Sequence, residues 1–173
     1  MITRSSDETR AAGREFAKQL RPGDIVLLEG PLGSGKTTFV QGVADALGAS
    51  GPVTSPSFVI VNEYAIVGSE QGTGNSTTAH SSLRTAPSVL RHVDLYRLAD
   101  PAVDLDRIGL SELLNDPEAI TVIEWADRMP ADLSAEALAK AEALAKGGRT
   151  WNVTIAHGAQ DSERSIETKN GSA

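Results

Sequence analysis

The stretch IVLLEGPLGSGKTTFVQGVADALG, Ile25 to Gly48, decides the fold. Its first residues are a continuous apolar run between Asp24 and Glu29, the pattern of a strand buried on both faces of a parallel sheet. Gly30 to Thr37 then matches G-x-x-x-x-G-K-[ST] without a mismatch. Thr37 to Leu47 reads as a helix, closed by Gly48 in a C-cap role. Strand, glycine turn and helix in this order make a phosphate cradle. The glycines let successive backbone N–H groups face inward, and the helix adds its positive end. Lys36 is placed to reach the β- and γ-phosphates, and the Thr37 hydroxyl to hold Mg²⁺. The binding candidates are Gly33, Ser34, Gly35, Lys36, Thr37 and Thr38.

The remainder of the chain bounds what such a cradle serves. At 173 residues with 40% apolar content, the sequence suits one globular domain. It has no cysteine, so disulfides and thiolate metal sites are excluded. The apolar runs are far too short for a membrane span, and the polar start MITRSSDETR lacks a signal-peptide core. These features lead to the expectation of a cytoplasmic protein without membrane contact. The net charge of −7 argues against strong direct binding of nucleic acid, which depends on clustered Lys and Arg.

Ser5 and Glu8 read as a capping box that opens a first helix, about Ser6 to Leu20, with Ala12, Phe16, Ala17 and Leu20 on its apolar face. Arg10, Arg14, Lys18 and Arg21 form a basic stripe beside that face, either a solvated surface or a docking one. GPVTSPSF reads as a loop, and SFVIVNEYAIV and SVLRHVDLYRL as strands able to pair antiparallel around a Gly/Ser/Thr-rich loop at 68–87. Asp100 and Pro101 cap and open a helix carrying Val103, Leu110, Leu113 and Leu114. AITVIEW is a second buried-strand candidate, Leu133 to Lys146 a helix, and TWNVTIAH a late strand. The expected fold is a single α/β P-loop domain over residues 1–157. It has a mainly parallel sheet, helices on both faces and an antiparallel hairpin. Residues 158–173 are expected to be mostly a disordered tail, with RSIET hinting at an edge strand.

A magnesium site of this kind needs an acid at the end of a second buried strand. AITVIE ends in Glu124, and VLRHVD ends in Asp94 but is interrupted by Arg91 and His92, so the pattern favours Glu124. Both acids are the catalytic candidates. Thr54, Ser55 and Ser57 are placed to act as a switch loop or to form a plain turn, and Trp125 to pack in the core or stand as an exposed contact. His80, His92 and His157 show no metal spacing and receive no role.

Together EGPLGSGKTTFVQGVADALG, VTSPSFVIVNEY, HVDLYRLADP and VIEWADR resemble, in order and spacing, the TsaE (YjeE) family, over about Asp24 to Arg128. The resemblance implies a small bacterial ATPase that supports synthesis of threonylcarbamoyladenosine in tRNA, together with TsaB and TsaD. The tRNA would be met indirectly, through that complex. It implies ATP and Mg²⁺ on Lys36 and Thr37, Asp94 as the Walker-B-like acid, and Glu124 as a second essential acid on the metal. It implies a switch-like loop at Thr54 to Ser57. The chain departs from the family pattern in Ser55-Pro56-Ser57, where Ser-Pro-Thr is usual, in its longer 68–87 loop, and in the alanine-rich helix.

Two other classes compete. A small-molecule kinase needs an arginine-rich lid, whereas Arg84, Arg91, Arg97 and Arg107 follow no lid pattern. A guanine-nucleotide switch needs Asn-Lys-x-Asp, which does not occur. For base contacts the candidates are the helix start at Asp7, Glu8 and Thr9 and the late RSIET.

Overall fold

The apolar run after Asp24 forms β2 (Ile25–Glu29), inside a seven-stranded sheet and buried as its pattern requires. Val26 and Leu28 join one core layer, Ile25 and Leu27 the other. The computed structural model describes residues 1–56, 60–66, 89–98, 104, 107–129 and 149–171. Around β2 stand β1 (Ile2–Thr3), α1 (Ser6–Ala17), α2 (Lys36–Leu47), β3 (Val61–Ala65), β4 (Val89–Asp94), α3 (Leu110–Leu114), β5 (Ala119–Glu124), β6 (Thr150–His157) and β7 (Arg164–Asn170).

The strand order is β1-β7-β6-β2-β5-β4-β3. The four central strands β6, β2, β5 and β4 are parallel. Antiparallel pairs flank them, β3 on β4 at one side and β7 and β1 beyond β6 at the other. The expected hairpin pairing of β3 with β4 is therefore present, with Val61 opposite Val93 and Ala65 opposite Val89. One layer of the core packs α1 and α2 on the sheet through Phe16, Phe39, Val40, Val43, Leu28 and Trp151. The other packs Leu110 and Leu114 of α3 against Leu27, Val93 and Ile123. Helices thus cover both faces. The 68–87 loop, Ser57, the Asp100–Pro101 helix opening and the 133–146 helix lie outside the described residues.

The tail needs a correction. Within the 158–173 tail expected to be mostly disordered, the strand hinted at by RSIET forms and extends over Arg164–Asn170 as β7, which pairs with β6 from His157 opposite Arg164 to Trp151 opposite Asn170. A turn closed by Gly158 N–H on the Glu163 carbonyl, 2.8 Å, brings the strand back. Only Ile166 of β7 is buried, so the strand is held by its ladder and carries almost no apolar signal.

The basic stripe stays at the surface, as one of its two readings has it, and most of it is paired within the domain. Arg10 bonds Asp45 of α2 through Nε at 2.6 Å and Nη2 at 2.8 Å, Arg14 reaches the same carboxylate at 3.3 Å, and Lys18 pairs with Glu15. The Arg10 hydrogen bond, with Arg14 beside it, holds the Asp45 carboxyl below its ordinary value. Three of the four charges are thus paired within the domain.

Two glycines set the distance between α1 and α2. A Cβ on Gly42 would lie 2.0 Å from the Arg10 carbonyl oxygen, and one on Gly13 would lie 2.1 Å from that of Phe39. The close crossing lets Phe16 meet Phe39 at 5.5 Å and Trp151 edge-on at 5.3 Å. Gly42→Ala therefore sets two effects against each other. Helix propensity favours alanine by about 1 kcal/mol. Overpacking against backbone costs about 1–3 kcal/mol and more where nothing can yield. The clash should win, and urea unfolding should show a lower midpoint; an equal or higher midpoint contradicts this packing.

Candidate active site

The parallel register brings three strand ends to one edge. Leu28 of β2 lies opposite Glu124 of β5, and Glu124 lies opposite Asp94 of β4. The loop after β2 opens there, at the carboxyl ends of the strands, where α/β sheets form their binding crevices. Gly30, Gly33 and Gly35 all have positive φ. At Gly30 a side chain is also excluded by space, since a Cβ would lie 2.0 Å from the Ile155 carbonyl oxygen. Gly35 is the N-cap of α2 and supplies no side-chain acceptor, so no cap hydrogen bond occupies the first-turn N–H groups. Ser34 Oγ is buried and has no hydrogen-bond partner among the described residues. Together these features leave donors for an anion.

The Lys36 ammonium is nearly buried and donates to the carbonyls of Gly30 at 2.7 Å and Pro31 at 3.0 Å. It lies 3.6 Å from the centre of the Trp125 ring, a cation–π contact. Burial pushes its pKa down, while Glu124, Asp94 and Asp127 pull in the opposite direction. Thr37 Oγ1 donates to Glu124 Oε2 at 3.2 Å. Asp94 accepts from Ser55 Oγ at 2.5 Å and from the Tyr96 N–H at 2.9 Å. The two acids thus stand side by side, Glu124 tied to the glycine-rich loop and Asp94 to the loop before β3.

A cleft of about 810 Å³ joins these groups, lined by Lys36, Thr37, Ser55, Asp94, Glu124 and Trp125 among others. Gly33, Gly35 and Thr38 line it too, and Ser34 does not. Ser34 instead faces a second recess of about 300 Å³, which it shares with Gly33, Gly35 and Thr38 and which reaches Arg4, Ser5, Thr9, Ser162 and Arg164. Thr54 does not line the cleft; its backbone is tied to the Tyr64 hydroxyl. Trp125 is both packed and part of the site: its ring meets Tyr96 at 4.8 Å as well as Lys36. Its φ of 61° makes it the one non-glycine residue in the left-handed region among those described, and it ends β5 directly after Glu124. Backbone of this kind costs about 1–3 kcal/mol and persists only where its surroundings hold it.

Sequence reasoning missed two residues here. His92, given no role, is fully buried and lies 2.8 Å from Glu124 Oε1 through Nε2. The available signal was its place two residues before Asp94, which puts both on one face of a strand. Arg128 was seen only as part of VIEWADR. Its guanidinium donates to the carbonyls of Leu95 at 3.1 Å, Leu98 at 3.1 Å, and Tyr96. It thereby holds the turn that follows Asp94. His157 lies 3.3 Å from the Leu32 carbonyl, away from both acids.

The family model for threonylcarbamoyl adenosine biosynthesis protein TsaE matches residues 3–151. The chain is 36% identical over 129 residues to the tRNA threonylcarbamoyladenosine biosynthesis protein TsaE of Streptomyces coelicolor, covering 75% of this chain and 74% of that one. It is 34% identical over 136 residues to the protein of that name in Bacillus subtilis, covering 79% and 72%. The crystal structure of Bacillus subtilis YdiB superposes with a TM-score of 0.59 at 26% identity, covering 98% of this chain and 82% of that one.

The Arg128 contacts generate a prediction. Arg128→Ala leaves three carbonyls without their charged donor and should destabilise the fold by about 1–3 kcal/mol. It should also speed amide exchange in residues 95–98. Arg128→Lys should not restore protection, because an ammonium is a point donor and lacks the planar fork. Full restoration by lysine contradicts the clamp.

Proposed function

The chain belongs to the TsaE family of threonylcarbamoyl adenosine biosynthesis proteins, and from that membership and its site we propose a Mg²⁺-dependent ATPase serving a tRNA-modifying complex. Proteins of this family act in tRNA threonylcarbamoyladenosine biosynthesis. The observation that carries the ATPase reading is the bond from Thr37 Oγ1 to Glu124 Oε2. It joins the hydroxyl of the glycine-rich loop to a buried strand-end carboxylate.

The residues fit the groups this reading needs. The uncapped α2 terminus, the orphaned Ser34 Oγ and the Lys36 ammonium are donors for phosphate oxygens. Thr37 and Glu124 are hard oxygen donors, the type Mg²⁺ takes, and would hold it. When bound, Mg²⁺ would offset the negative charge that develops on the phosphate oxygens. Lys36 would exchange the Gly30 and Pro31 carbonyls for phosphate. Asp94, held by Ser55, would orient the attacking water and accept its proton. The recess beside Arg4, Thr9 and Arg164 suits the nucleoside end of ATP, because the glycine-rich loop runs between it and the cleft.

The partners in this reading are TsaB and TsaD, with tRNA met through them, in the cytoplasm. Among the described residues no helix is long and apolar enough to cross a membrane. The acidic charge, and the pairing of Arg10 and Arg14 with Asp45, fit a protein that leaves tRNA to other subunits. The kinase alternative loses support from Arg91, which is committed to Glu63 at 2.6 Å and Asp116 at 2.8 Å.

The reading is tested in two steps. Lys36→Ala should weaken ATP binding by about 1.5–3 kcal/mol, and Glu124→Gln should bind ATP but turn it over slowly. Threonylcarbamoyl transfer is then reconstituted with tRNA, TsaB and TsaD. Sustained rounds should require the parent protein and fail with Lys36→Ala. Equal turnover with this protein omitted would falsify the assigned role.

A further inference from the structure

Glu124 has a second neighbour that the proposed chemistry does not use. Leu90, His92 and Asp94 alternate onto the face of β4 that α2 covers, as Ile120, Val122 and Glu124 do on β5. His92 Nε2 lies 2.8 Å from Glu124 Oε1, with His92 0% and Glu124 1% exposed. A carboxylate only accepts, so the proton of this bond is on Nε2. Nδ1 is buried and has no partner among the described residues. A ring that spends polar capacity in the core layer of Leu90 and Val122 has one bond among the described residues to show for it, the one to Glu124.

The bond divides the carboxylate. Oε1 is held from β4, and Oε2 faces Thr37 Oγ1 at 3.2 Å. Without it, the flexible Glu124 side chain has one fixed contact fewer, and the direction of Oε2 depends on Thr37 alone. We infer that His92 is a positioning residue, whose Nε2–H fixes Glu124 Oε1 so that Oε2 stands beside Thr37 toward the Mg²⁺ of bound nucleotide. This rests on the reading of Glu124 as the metal-side carboxylate. His92 itself contacts neither metal nor nucleotide in this role.

The test uses Mn²⁺ as the probe, titrated by electron paramagnetic resonance into the full chain with a non-hydrolysable ATP analogue. Three variants are compared. His92→Gln carries its amide nitrogen to about the reach of Nε2, His92→Asn stops short at the reach of Nδ1, and His92→Phe keeps a ring without a donor. Loss of an outer-shell partner weakens metal binding about tenfold or more. His92→Asn and His92→Phe should show that loss while their affinity for the metal-free analogue stays at the parent value. His92→Gln should return Mn²⁺ affinity close to the parent. If His92→Phe fails to fold, the Asn–Gln comparison decides alone. Parent-like Mn²⁺ affinity in all the folded variants, or equal loss in Gln and Asn, overturns the positioning role and leaves the proposed function standing. Absence of Mn²⁺–nucleotide binding in the parent protein overturns the proposed function, and the positioning role with it.

Discussion

The hydrogen bond between Thr37 and Glu124 is the constraint around which the site is arranged. A carboxylate that is 1% exposed stands in a core only if its oxygens are occupied. Here one oxygen meets the hydroxyl at the start of α2 and the other meets His92. The two bonds on Glu124 therefore link three elements, α2, β4 and β5. They require the parallel register that sets Leu28 beside Glu124 and Glu124 beside Asp94. Lys36 and Trp125 follow from it, because the chain kinks directly after Glu124 and the indole meets the ammonium.

The opposite end of β2 is held by another buried carboxylate. Asp24, 0% exposed, accepts from the backbone N–H groups of Arg21 and Arg149, from the Arg149 guanidinium and from Trp151 Nε1 at 3.1 Å. It fastens the starts of β2 and β6, while Trp151 carries the contact on to Phe16 of α1. The central strand is thus fixed by polar bonds at both ends and by apolar layers on both faces. The glycine crossing of α1 and α2 completes the support on the face that carries the site.

What the sequence made legible is what is local. The glycine-rich loop, the buried runs of β2 and β5, the Ser5 cap and the Gly48 terminus are each written within a dozen residues. Glu124 could be preferred to Asp94 because no charged residue interrupts the run that leads to it, whereas Arg91 and His92 interrupt β4. The residues that escaped are defined by distant partners. His92 breaks the apolar pattern of β4 because it serves Glu124, 32 positions on. Gly13 and Gly42, which helix propensity counts against, are contact points between α1 and α2. Arg10 and Arg14 read as a basic surface until α2 sets Asp45 against them. β7 has a single buried side chain, so RSIET gives no more than a hint of it.

The account stands on Glu124, and not Asp94, as the carboxylate nearest the metal. A crystal of the protein with Mn²⁺ and a non-hydrolysable ATP analogue measures this directly through anomalous scattering. The account predicts one peak beside the triphosphate, in contact with Thr37 Oγ1 and reached by Glu124 Oε2 directly or through one water, with Asp94 still bonded to Ser55. A peak held by Asp94 and Ser55, with Glu124 turned away from Thr37, would contradict it.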